Sequence, residues 1–218
     1  MTFEKLGLSA ALRVVLANQK YKKPTPIQLE GIPAILEGKD VLGIAQTGSG
    51  KTASFVLPIL MQLKSAAKIK NRNLPVLVLV PTRELAVQVK DVFKLFGAAL
   101  PETPNIQAVF GGVSINPQMK SLFGVQILVA TPGRLLELVE SNALNLANVQ
   151  TLVLDEADKM LNLGFEEEMK QILSLLPAKR QNLLFSATLD EKVEAITQLV
   201  LNNPKVIKIE AERENLDN

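Results

Sequence analysis

The sequence predicts an α/β domain in which a mainly parallel central sheet carries helices on both faces. Two observations predict this class. Short apolar, β-branched runs alternate with helical patterns along the 218 residues, and polar or glycine-rich turns follow the runs. Strands separated by helices form parallel sheets that are buried on both faces, so their residues are apolar throughout. The length suits one such domain.

Composition excludes several kinds of site. The chain has no Cys and no His, which excludes disulfides, structural zinc sites, Cys nucleophiles and His-based triads. Carboxylates are then the only strong metal-binding side chains, which favours a hard ion such as Mg²⁺. No apolar run approaches the ~20 residues that span a bilayer, and the N-terminus does not resemble a signal peptide. We therefore expect no membrane partner and a cytoplasmic location. The net charge of +2 neither requires nor excludes nucleic acid.

The first elements in chain order are helices. Apolar residues recur at near-helical spacing within residues 1–20, and Ser9 is placed as an N-cap. A second helix follows Thr25, with Pro26 at its first position and Gln28 three residues after Thr25, which is a capping box. The spacing leaves two roles open for Gln28, closure of the box or contact with a ligand.

The next strand leads into a phosphate-binding loop. It covers residues 41–44 and is followed by Ala45-Gln46-Thr47-Gly48-Ser49-Gly50-Lys51-Thr52 and a helical run at 53–63. A glycine turn between a strand and a helix lets backbone N–H groups and the helix N-terminus surround phosphate oxygens. Lys51 would reach the terminal phosphates, and the Thr52 hydroxyl would bind Mg²⁺. The general pattern has Gly where this chain has Ala45.

Six further strands are predicted at residues 76–80, 106–110, 125–129, 151–154, 182–185 and 206–209. Helical patterns lie between them, for example at 85–95, 134–139 and 166–176. Because ligands of open α/β sheets bind at the carboxyl edge of the strands, the turns after these strands should form one active face. Besides the phosphate loop, those turns lie at residues 81–84, 111–112, 131–134, 155–158 and 186–188.

Each turn has a functional and a structural interpretation. Asp155 ends an apolar strand, where it would hold Mg²⁺, and Glu156 would orient and deprotonate an attacking water. Acidic residues also simply favour a helix N-terminus. Thr188 fits a capping box with Glu191, and Thr131 before Pro132 fits an N-cap.

The arginines and glycines of these turns also leave alternatives open. A helix N-terminus disfavours cations, so Arg83 and Arg134 should each serve an anion, either a carboxylate or a phosphate. Gly111 and Gly112 form either a plain turn or a place where a ligand approaches the backbone closely.

Together these residues resemble the first RecA-like domain of the DEAD-box RNA helicase family, from Phe3 to about Ile209. Gly7-Leu8 and residues 24–28 resemble the Q motif, with Phe3 as its upstream aromatic residue. The family's phosphate loop begins with Ala, as it does here. Residues 81–86, 111–112, 131–134, 155–158 and 186–188 resemble motif Ia, the glycine pair, and motifs Ib, II and III, in the family's order. Residues 111–118 and 176–182 resemble the bacterial RhlE-type branch.

The resemblance implies an ATP- and Mg²⁺-dependent enzyme. In it, Gln28 would read the adenine edge and Phe3 would stack on the base, which gives ATP over GTP. The phosphate loop would bind the phosphates, Thr52 and Asp155 would hold Mg²⁺, and Lys51, Asp155 and Glu156 would be catalytic. Two further sets of residues are implied. Asp158, Ser186 and Thr188 would link the nucleotide and RNA sites, and Thr82, Arg83, Gly111, Gly112, Thr131 and Arg134 would contact the RNA sugar–phosphate backbone.

The resemblance also implies a domain organisation. Residues 1–209 would form RecA-like domain 1, with the Q motif in 1–28 and the ATP-binding core in 29–209, and residues 210–218 would begin an interdomain linker. The second RecA-like domain, which supplies an arginine finger, would lie outside this chain. We therefore expect a monomer that binds ATP or ADP, hydrolyses slowly and does not unwind RNA. Two alternatives stay open, an ATP-gated RNA clamp and a DNA-directed motor.

Overall fold

The computed structural model describes residues 2–63 and 72–210. Within these ranges the strands form one parallel sheet of seven, in the order β3-β4-β2-β5-β6-β1-β7. The strands are β1 Val41–Ile44, β2 Val76–Leu79, β3 Ile106–Val109, β4 Ile127–Ala130, β5 Thr151–Leu154, β6 Gln181–Ser186 and β7 Lys205–Lys208. The predicted parallel sheet is confirmed. Its bounds differ most at β4, which begins two residues later than the apolar run because Val125 still belongs to a turn, where its N–H donates to the Leu122 carbonyl.

Helices cover both faces of the sheet, as predicted. A 3₁₀ helix at Phe3–Leu6 precedes α1 Ala10–Asn18, α2 Pro26–Leu36, α3 Lys51–Gln62, α4 Arg83–Gly97, α5 Ile115–Ser121, α6 Pro132–Glu140, α7 Ala157–Asn162, α8 Glu166–Leu175 and α9 Glu191–Val200. None of these described helices is long and apolar enough to cross a bilayer. The predicted linker at 210–218 lies outside the described residues, apart from Glu210.

Side-chain caps fix where several helices begin. The Ser9 hydroxyl accepts a hydrogen bond from the Leu12 N–H at 3.3 Å, which confirms the predicted N-cap of α1. At α9 the cap is Asp190, whose carboxylate accepts from the Val193 N–H at 2.9 Å, so the capping box considered as one alternative for Thr188 is not formed. The Thr188 hydroxyl is therefore available for a contact outside the helix.

Two apolar clusters lie on opposite faces of the sheet. Neighbouring residues of β6 alternate between them, since Leu183 and Phe185 belong to one cluster and Leu184 to the other. On the first face the Phe185 ring packs against Phe55 of α3 with 5.3 Å between ring centroids. Both faces are covered by buried apolar side chains, which makes the sheet a rigid support for its edges.

Gly43 of β1 is required by this packing. A Cβ atom at this position would lie 2.6 Å from the Phe185 ring, which is paired with Gly43 across the two strands. Any larger residue would displace a fully buried aromatic side chain. The strand that leads into the phosphate loop is thus held close to its neighbour.

The turns after the strands begin at one level along the carboxyl edge. The sheet hydrogen bonds continue beyond the strand ends, from the Ala45 N–H to the Ser186 carbonyl at 3.0 Å and from the Asp155 N–H to the Leu79 carbonyl at 3.0 Å. The Thr131 N–H likewise donates to the Val109 carbonyl at 3.1 Å. The strand order places the turns after β1, β6 and β5 side by side, which we call the β1 half of the edge. The turns after β2, β4 and β3 form the β3 half.

Candidate functional site

The phosphate loop depends on glycine at two positions. Gly48 and Gly50 have φ values of 84° and 89°, which other residues rarely adopt. The loop leads directly into α3, and the Lys51 side chain folds back over it, donating from Nζ to the Ala45 carbonyl at 2.7 Å. Lys51 is 7% exposed, so its positive charge is held inside the loop. With the N-terminus of α3 beside it, the loop forms an anion-binding concavity.

Gln28 joins α2 to the phosphate loop. Its Oε1 accepts from the Thr25 N–H at 3.0 Å, as the predicted capping box requires, and its Nε2 donates to the Gly50 carbonyl at 3.2 Å. The contact is close, because a Cβ atom at Gly50 would lie 2.6 Å from Gln28 Nε2 and 2.7 Å from Thr25 Oγ1. Gln28 is 1% exposed. An amide has two donor hydrogens and two acceptor lone pairs, so one of each is left unused by these two bonds. The capping role is confirmed, and the adenine contact stays a prediction.

The aromatic residue predicted to stack on a base is covered. Phe3 is 7% exposed and belongs to the core cluster, where its ring meets Tyr21 edge-on with 6.4 Å between centroids. Tyr21 in turn contacts Phe96 at 6.1 Å and is itself 37% exposed. Of these three rings, Tyr21 is therefore the exposed one. Sequence reasoning passed over it, although it is the only Tyr of the chain and lies just before the capping box.

Two adjacent carboxylates follow β5. Asp155 is 3% exposed, and burial raises its pKa to about 6, against the opposing effect of the Lys51 charge; the neighbouring Glu156 adds to the rise. Glu156 has a left-handed backbone with φ of 52°, a strained conformation for a non-glycine residue. Its N–H donates to Asp155 Oδ1 at 3.0 Å, and its carboxylate pairs with Lys159 at 2.9 Å. Such strain and pKa shifts concentrate at functional sites.

The β1 half suits Mg²⁺ held jointly by protein and phosphate. Across the described residues, no group of three or more Asp, Glu, Cys or His side chains could hold a metal ion by itself. Mg²⁺ is commonly bound by one or two carboxylates together with substrate phosphates and waters, and the buried Asp155 is a carboxylate of this kind. The Ser49 hydroxyl, in the loop itself, is buried and has no hydrogen-bond partner in the described part of the chain, as expected of a group that a phosphate oxygen would satisfy.

The predicted link between motif II and motif III is formed in part. The Thr188 hydroxyl donates to Asp158 Oδ2 at 3.3 Å, which is possible because Asp190 and not Thr188 caps α9. Ser186 is different, since its hydroxyl is fully buried and makes no hydrogen bond to any of the described residues. The contact between Asp158 and Thr188 is therefore present, whereas Ser186 does not take part in it in this structure, and the coupling role of Ser186 stays a prediction.

The β3 half presents an exposed cation and an open backbone. Thr82 caps α4 by accepting from the Leu85 N–H at 3.2 Å, and the next residue, Arg83, is exposed with its guanidinium carbon 5.2 Å from the centre of the Phe110 ring. Gly111 and Gly112 are both exposed, and nothing lies within 4 Å of a Cβ atom placed on either. A ligand can thus approach the backbone here.

Thr131 also leaves its hydroxyl uncommitted to the helix that it precedes. It is 8% exposed at the start of α6, but its side chain makes no capping hydrogen bond. The predicted N-cap is thus correct in position, while the hydroxyl is not used for capping.

Arg134 is held by protein groups in this half. It is 7% exposed, and its guanidinium donates to Glu137 Oε2 at 2.8 Å, to Gln118 Oε1 at 3.1 Å and to the Val113 carbonyl at 2.8 Å. Of the two anions considered, the partner is the carboxylate. A direct contact with an RNA phosphate does not fit this arrangement, because the guanidinium is enclosed by protein groups.

Comparison with known proteins decides the family. The family model described as DEAD/DEAH box helicase matches residues 25–196, which contain every motif of the edge described above. This chain belongs to the DEAD/DEAH box helicase family. The crystal structure of a DEAD box protein from the hyperthermophile Methanococcus jannaschii is 36% identical with a TM-score of 0.88, covering 96% of this chain and 56% of that one. The fold is thus the RecA-like domain of a DEAD-box protein.

Curated relatives of this DEAD-box domain are considerably longer than the chain. The ATP-dependent RNA helicase DeaD of Buchnera aphidicola subsp. Baizongia pistaciae is 45% identical over 97% of this chain and 34% of its own length. The DEAD-box ATP-dependent RNA helicase CshA of Streptococcus pneumoniae is 44% identical over 97% of this chain and 39% of its own length. The chain therefore spans a third to two fifths of these relatives. Because they carry the names DeaD and CshA, the RhlE-type branch stays a prediction.

Proposed function

We propose that this DEAD-box domain is the ATP-binding half of an RNA-dependent ATPase that remodels or unwinds short RNA duplexes. The observation that carries the proposal is the shared edge of the sheet. The β1 half has the phosphate loop and the buried Asp155, the β3 half has the exposed Arg83 and glycine pair, and β5 and β2 are neighbours where the halves meet. Chemistry at one half can thus alter binding at the other through a rigid sheet.

The Q motif region would select adenine. Gln28 retains one N–H donor and one lone pair after its bonds to Gly50 and Thr25, which is the pair that the adenine edge requires. We assign the base stack to Tyr21 in place of Phe3, because Tyr21 is 37% exposed and Phe3 is 7% exposed. Loss of ATP affinity in Tyr21→Ala, with unchanged affinity for inorganic triphosphate, would support this assignment.

The phosphate loop and the two carboxylates would carry out hydrolysis. Backbone N–H groups of residues 46–51 and the Lys51 ammonium bind the phosphates, while Thr52 and Asp155 would hold Mg²⁺, which supplies positive charge to the transferred phosphoryl group. Glu156 lies one residue beyond Asp155 and would orient and deprotonate the attacking water. Its ion pair with Lys159 fixes the direction of the carboxylate, as a positioned base requires.

The β3 half would bind the RNA backbone. Thr82, Arg83, Thr131 and the N–H groups of Gly111 and Gly112 are polar groups of the kind that contact sugar and phosphate, which carry no base information. Little sequence preference follows. The hydrogen bond between Asp158 and Thr188 would transmit the state of the nucleotide, since it joins the segment after Asp155 to the turn after β6.

The remaining length of the relatives is where we place the second RecA-like domain. An arginine finger contributes ~10³–10⁵ in rate in related phosphoryl-transfer systems. We therefore expect this chain to bind ATP or ADP, to hydrolyse slowly and to leave duplexes intact. Its monomeric state and cytoplasmic location stay predictions.

The test is steady-state ATP hydrolysis by this chain and by the whole protein that contains it, each without nucleic acid, with RNA and with DNA. Stimulation of the whole protein by RNA alone supports the proposal. Equal or greater stimulation by DNA contradicts it and favours a DNA-directed motor. Single-turnover strand separation then distinguishes a helicase from an ATP-gated clamp, because a clamp binds RNA without separating a short duplex.

A further inference from the structure

Gln118 of α5 pairs with the backbone of Phe110 in both directions. Its Oε1 accepts from the Phe110 N–H at 3.2 Å, and its Nε2 donates to the Phe110 carbonyl at 3.1 Å. Phe110 follows β3, which lies at the edge of the sheet, where no further strand supplies backbone partners within the described residues. The amide of Gln118 thus replaces a neighbouring strand at this point and fixes the direction in which the chain leaves β3.

Arg134 fixes the other end of the same segment. Its guanidinium donates to the Val113 carbonyl at 2.8 Å and to Gln118 Oε1 at 3.1 Å, while Glu137 neutralises its charge. Gly111 and Gly112 lie between the two fixed residues and are exposed. Glycine backbone has the widest conformational freedom of all residues, so this segment keeps one shape only if its ends are held.

The Phe110 ring brings Arg83 into the same arrangement. The Arg83 guanidinium carbon lies 5.2 Å from the ring centre, at a distance typical of a cation–π contact. Because Gln118 holds the Phe110 backbone, it also determines where this ring, and with it the arginine, is placed. Gln118 therefore positions three of the groups to which we assign RNA binding, namely Gly111, Gly112 and Arg83. It is not itself one of these groups.

We infer that Gln118 is a positioning residue for RNA binding, which holds the Gly111-Gly112 backbone and the Phe110 ring where the glycine N–H groups and Arg83 meet a sugar–phosphate chain. This inference rests on the proposed function and deepens it. Gln118 acts through Phe110 and Arg134 and makes no contact with RNA.

Because α5 packs only shallowly on the core, a positioning role of Gln118 can be distinguished from a purely structural one. The helix contributes no fully buried residue, and only Ile115 and Met119 pack partly against the core. Removal of the Gln118 amide should therefore change the global stability little while it releases the glycine segment. Removal of a core side chain would instead change the global stability strongly and the glycine segment little.

The experiment compares Gln118→Ala, Gln118→Glu and the matched control Gln171→Ala, which removes an exposed amide from α8. Affinity for a single-stranded oligoribonucleotide is measured by fluorescence anisotropy at several salt concentrations, together with affinity for fluorescent ADP and the melting temperature. Arg83→Ala serves as the reference for removal of one cation that binds the RNA backbone.

For Gln118→Ala we expect RNA affinity to fall about tenfold, the equivalent of one to two hydrogen bonds to the RNA. The slope of log affinity against log salt should become shallower by about 0.7 for each phosphate that the variant no longer binds. ADP affinity and melting temperature should match those of Gln171→Ala. Gln118→Glu should bind RNA more tightly than Gln118→Ala, because its carboxylate still accepts from the Phe110 N–H and from Arg134 but cannot donate to the Phe110 carbonyl.

Two outcomes would overturn the inference. In the first, Gln118→Ala binds RNA as the unmodified chain does while Arg83→Ala binds weakly. In the second, Gln118→Ala loses RNA affinity, ADP affinity and stability together, which indicates a structural role. If the unmodified chain binds ADP but no RNA at any salt concentration, the proposed function fails, and the inference falls with it.

Discussion

Within the described residues, a buried carboxylate is fully hydrogen-bonded at one end of the central sheet, whereas buried hydroxyls lack hydrogen-bond partners at the other. At the amino end, the Asp40 carboxylate accepts hydrogen bonds from the Asn182 N–H at 2.8 Å, the Asn182 side-chain amide at 3.2 Å and the Asn202 N–H at 2.8 Å. At the carboxyl end, the hydroxyls of Ser49 and Ser186 are buried and have no hydrogen-bond partner among the described residues.

This difference indicates that the amino end contributes mainly to stability and the carboxyl end mainly to binding. A satisfied buried network stabilises a fold, whereas an unsatisfied buried group costs free energy and persists where a ligand or a second conformation completes it. The strained Glu156 backbone and the raised pKa of Asp155 lie at the same end as the unpaired hydroxyls. Substitutions at the amino end should therefore affect mainly stability, and substitutions at the carboxyl end should affect mainly nucleotide binding.

The largest expected effect on stability is at the amino end. Asp40→Ala leaves the Asn182 and Asn202 donors without their acceptor and should lower the free energy of unfolding by about 3–5 kcal/mol. Nucleotide affinity of the folded fraction should be unchanged. Urea unfolding measures the first quantity and fluorescent ADP titration the second. Asp91→Ala, at an exposed carboxylate paired with Lys90, is the control and should change stability by less than about 1 kcal/mol.

Asp155→Asn, at the carboxyl end, should instead increase the free energy of unfolding. Burial raises the pKa of Asp155 from 3.8 to about 6, so the folded state is favoured by protonation, and this advantage is lost as the pH rises from about 4 to about 6. The neutral amide avoids that loss and should stabilise the chain by about 2–3 kcal/mol above pH 6, with no gain near pH 4. Hydrolysis should be abolished. Urea unfolding of both proteins at pH 4 and pH 8 is the measurement, and an equal gain at both pH values would contradict the electrostatic cause.

Gly50→Ala should mainly reduce nucleotide affinity. The new Cβ atom would lie 2.6 Å from Gln28 Nε2, in a backbone conformation with φ of 89°. We expect at least about a tenfold loss of ADP affinity with a stability loss of about 1–2 kcal/mol. Gly48→Ala is the matched comparison, because Gly48 also has a positive φ but nothing lies within 4 Å of its Cβ position. Equal losses in both variants would show that strain, and not the contact with Gln28, is responsible.

Ser186→Ala should have the smallest effect on stability. It removes a fully buried hydroxyl without a partner, so the free energy of unfolding should stay within about 1 kcal/mol of its original value or rise slightly. Asn182→Ala, in the same strand but at the satisfied end, should be destabilising. A loss of RNA-stimulated hydrolysis by Ser186→Ala in the whole protein would show that the hydroxyl finds its partner in another conformation.

The sequence predicted those features whose causes are local in the chain. Alternating apolar runs and helices predicted the parallel sheet, and the spacing of Thr25, Pro26 and Gln28 predicted the start of α2. Distant residues decided what the local patterns left open. The partners of Arg134 include Gln118 and Val113, which are 16 and 21 residues away on other elements. No periodicity or capping rule reports such contacts.

Two other sites depend on distant residues in the same way. Phe3 is buried because the chain returns to place Tyr21 and, through it, Phe96 beside its ring. At α9 two capping residues, Thr188 and Asp190, lie two positions apart, and the sequence pattern admits both. The choice depends on Asp158, which engages the Thr188 hydroxyl from a different turn.

The pairing of β1 has a consequence for the order in which the chain matures. β1 carries the phosphate loop, yet its two neighbours are β6 and β7, at residues 181–186 and 205–208. On a ribosome the loop would therefore emerge early and remain without lateral support until almost the whole domain has been synthesised. Contacts of such long sequence separation form slowly. Acquisition of nucleotide binding would thus mark the final step of assembly, and a nascent chain that ends before β6 should not yet retain ATP.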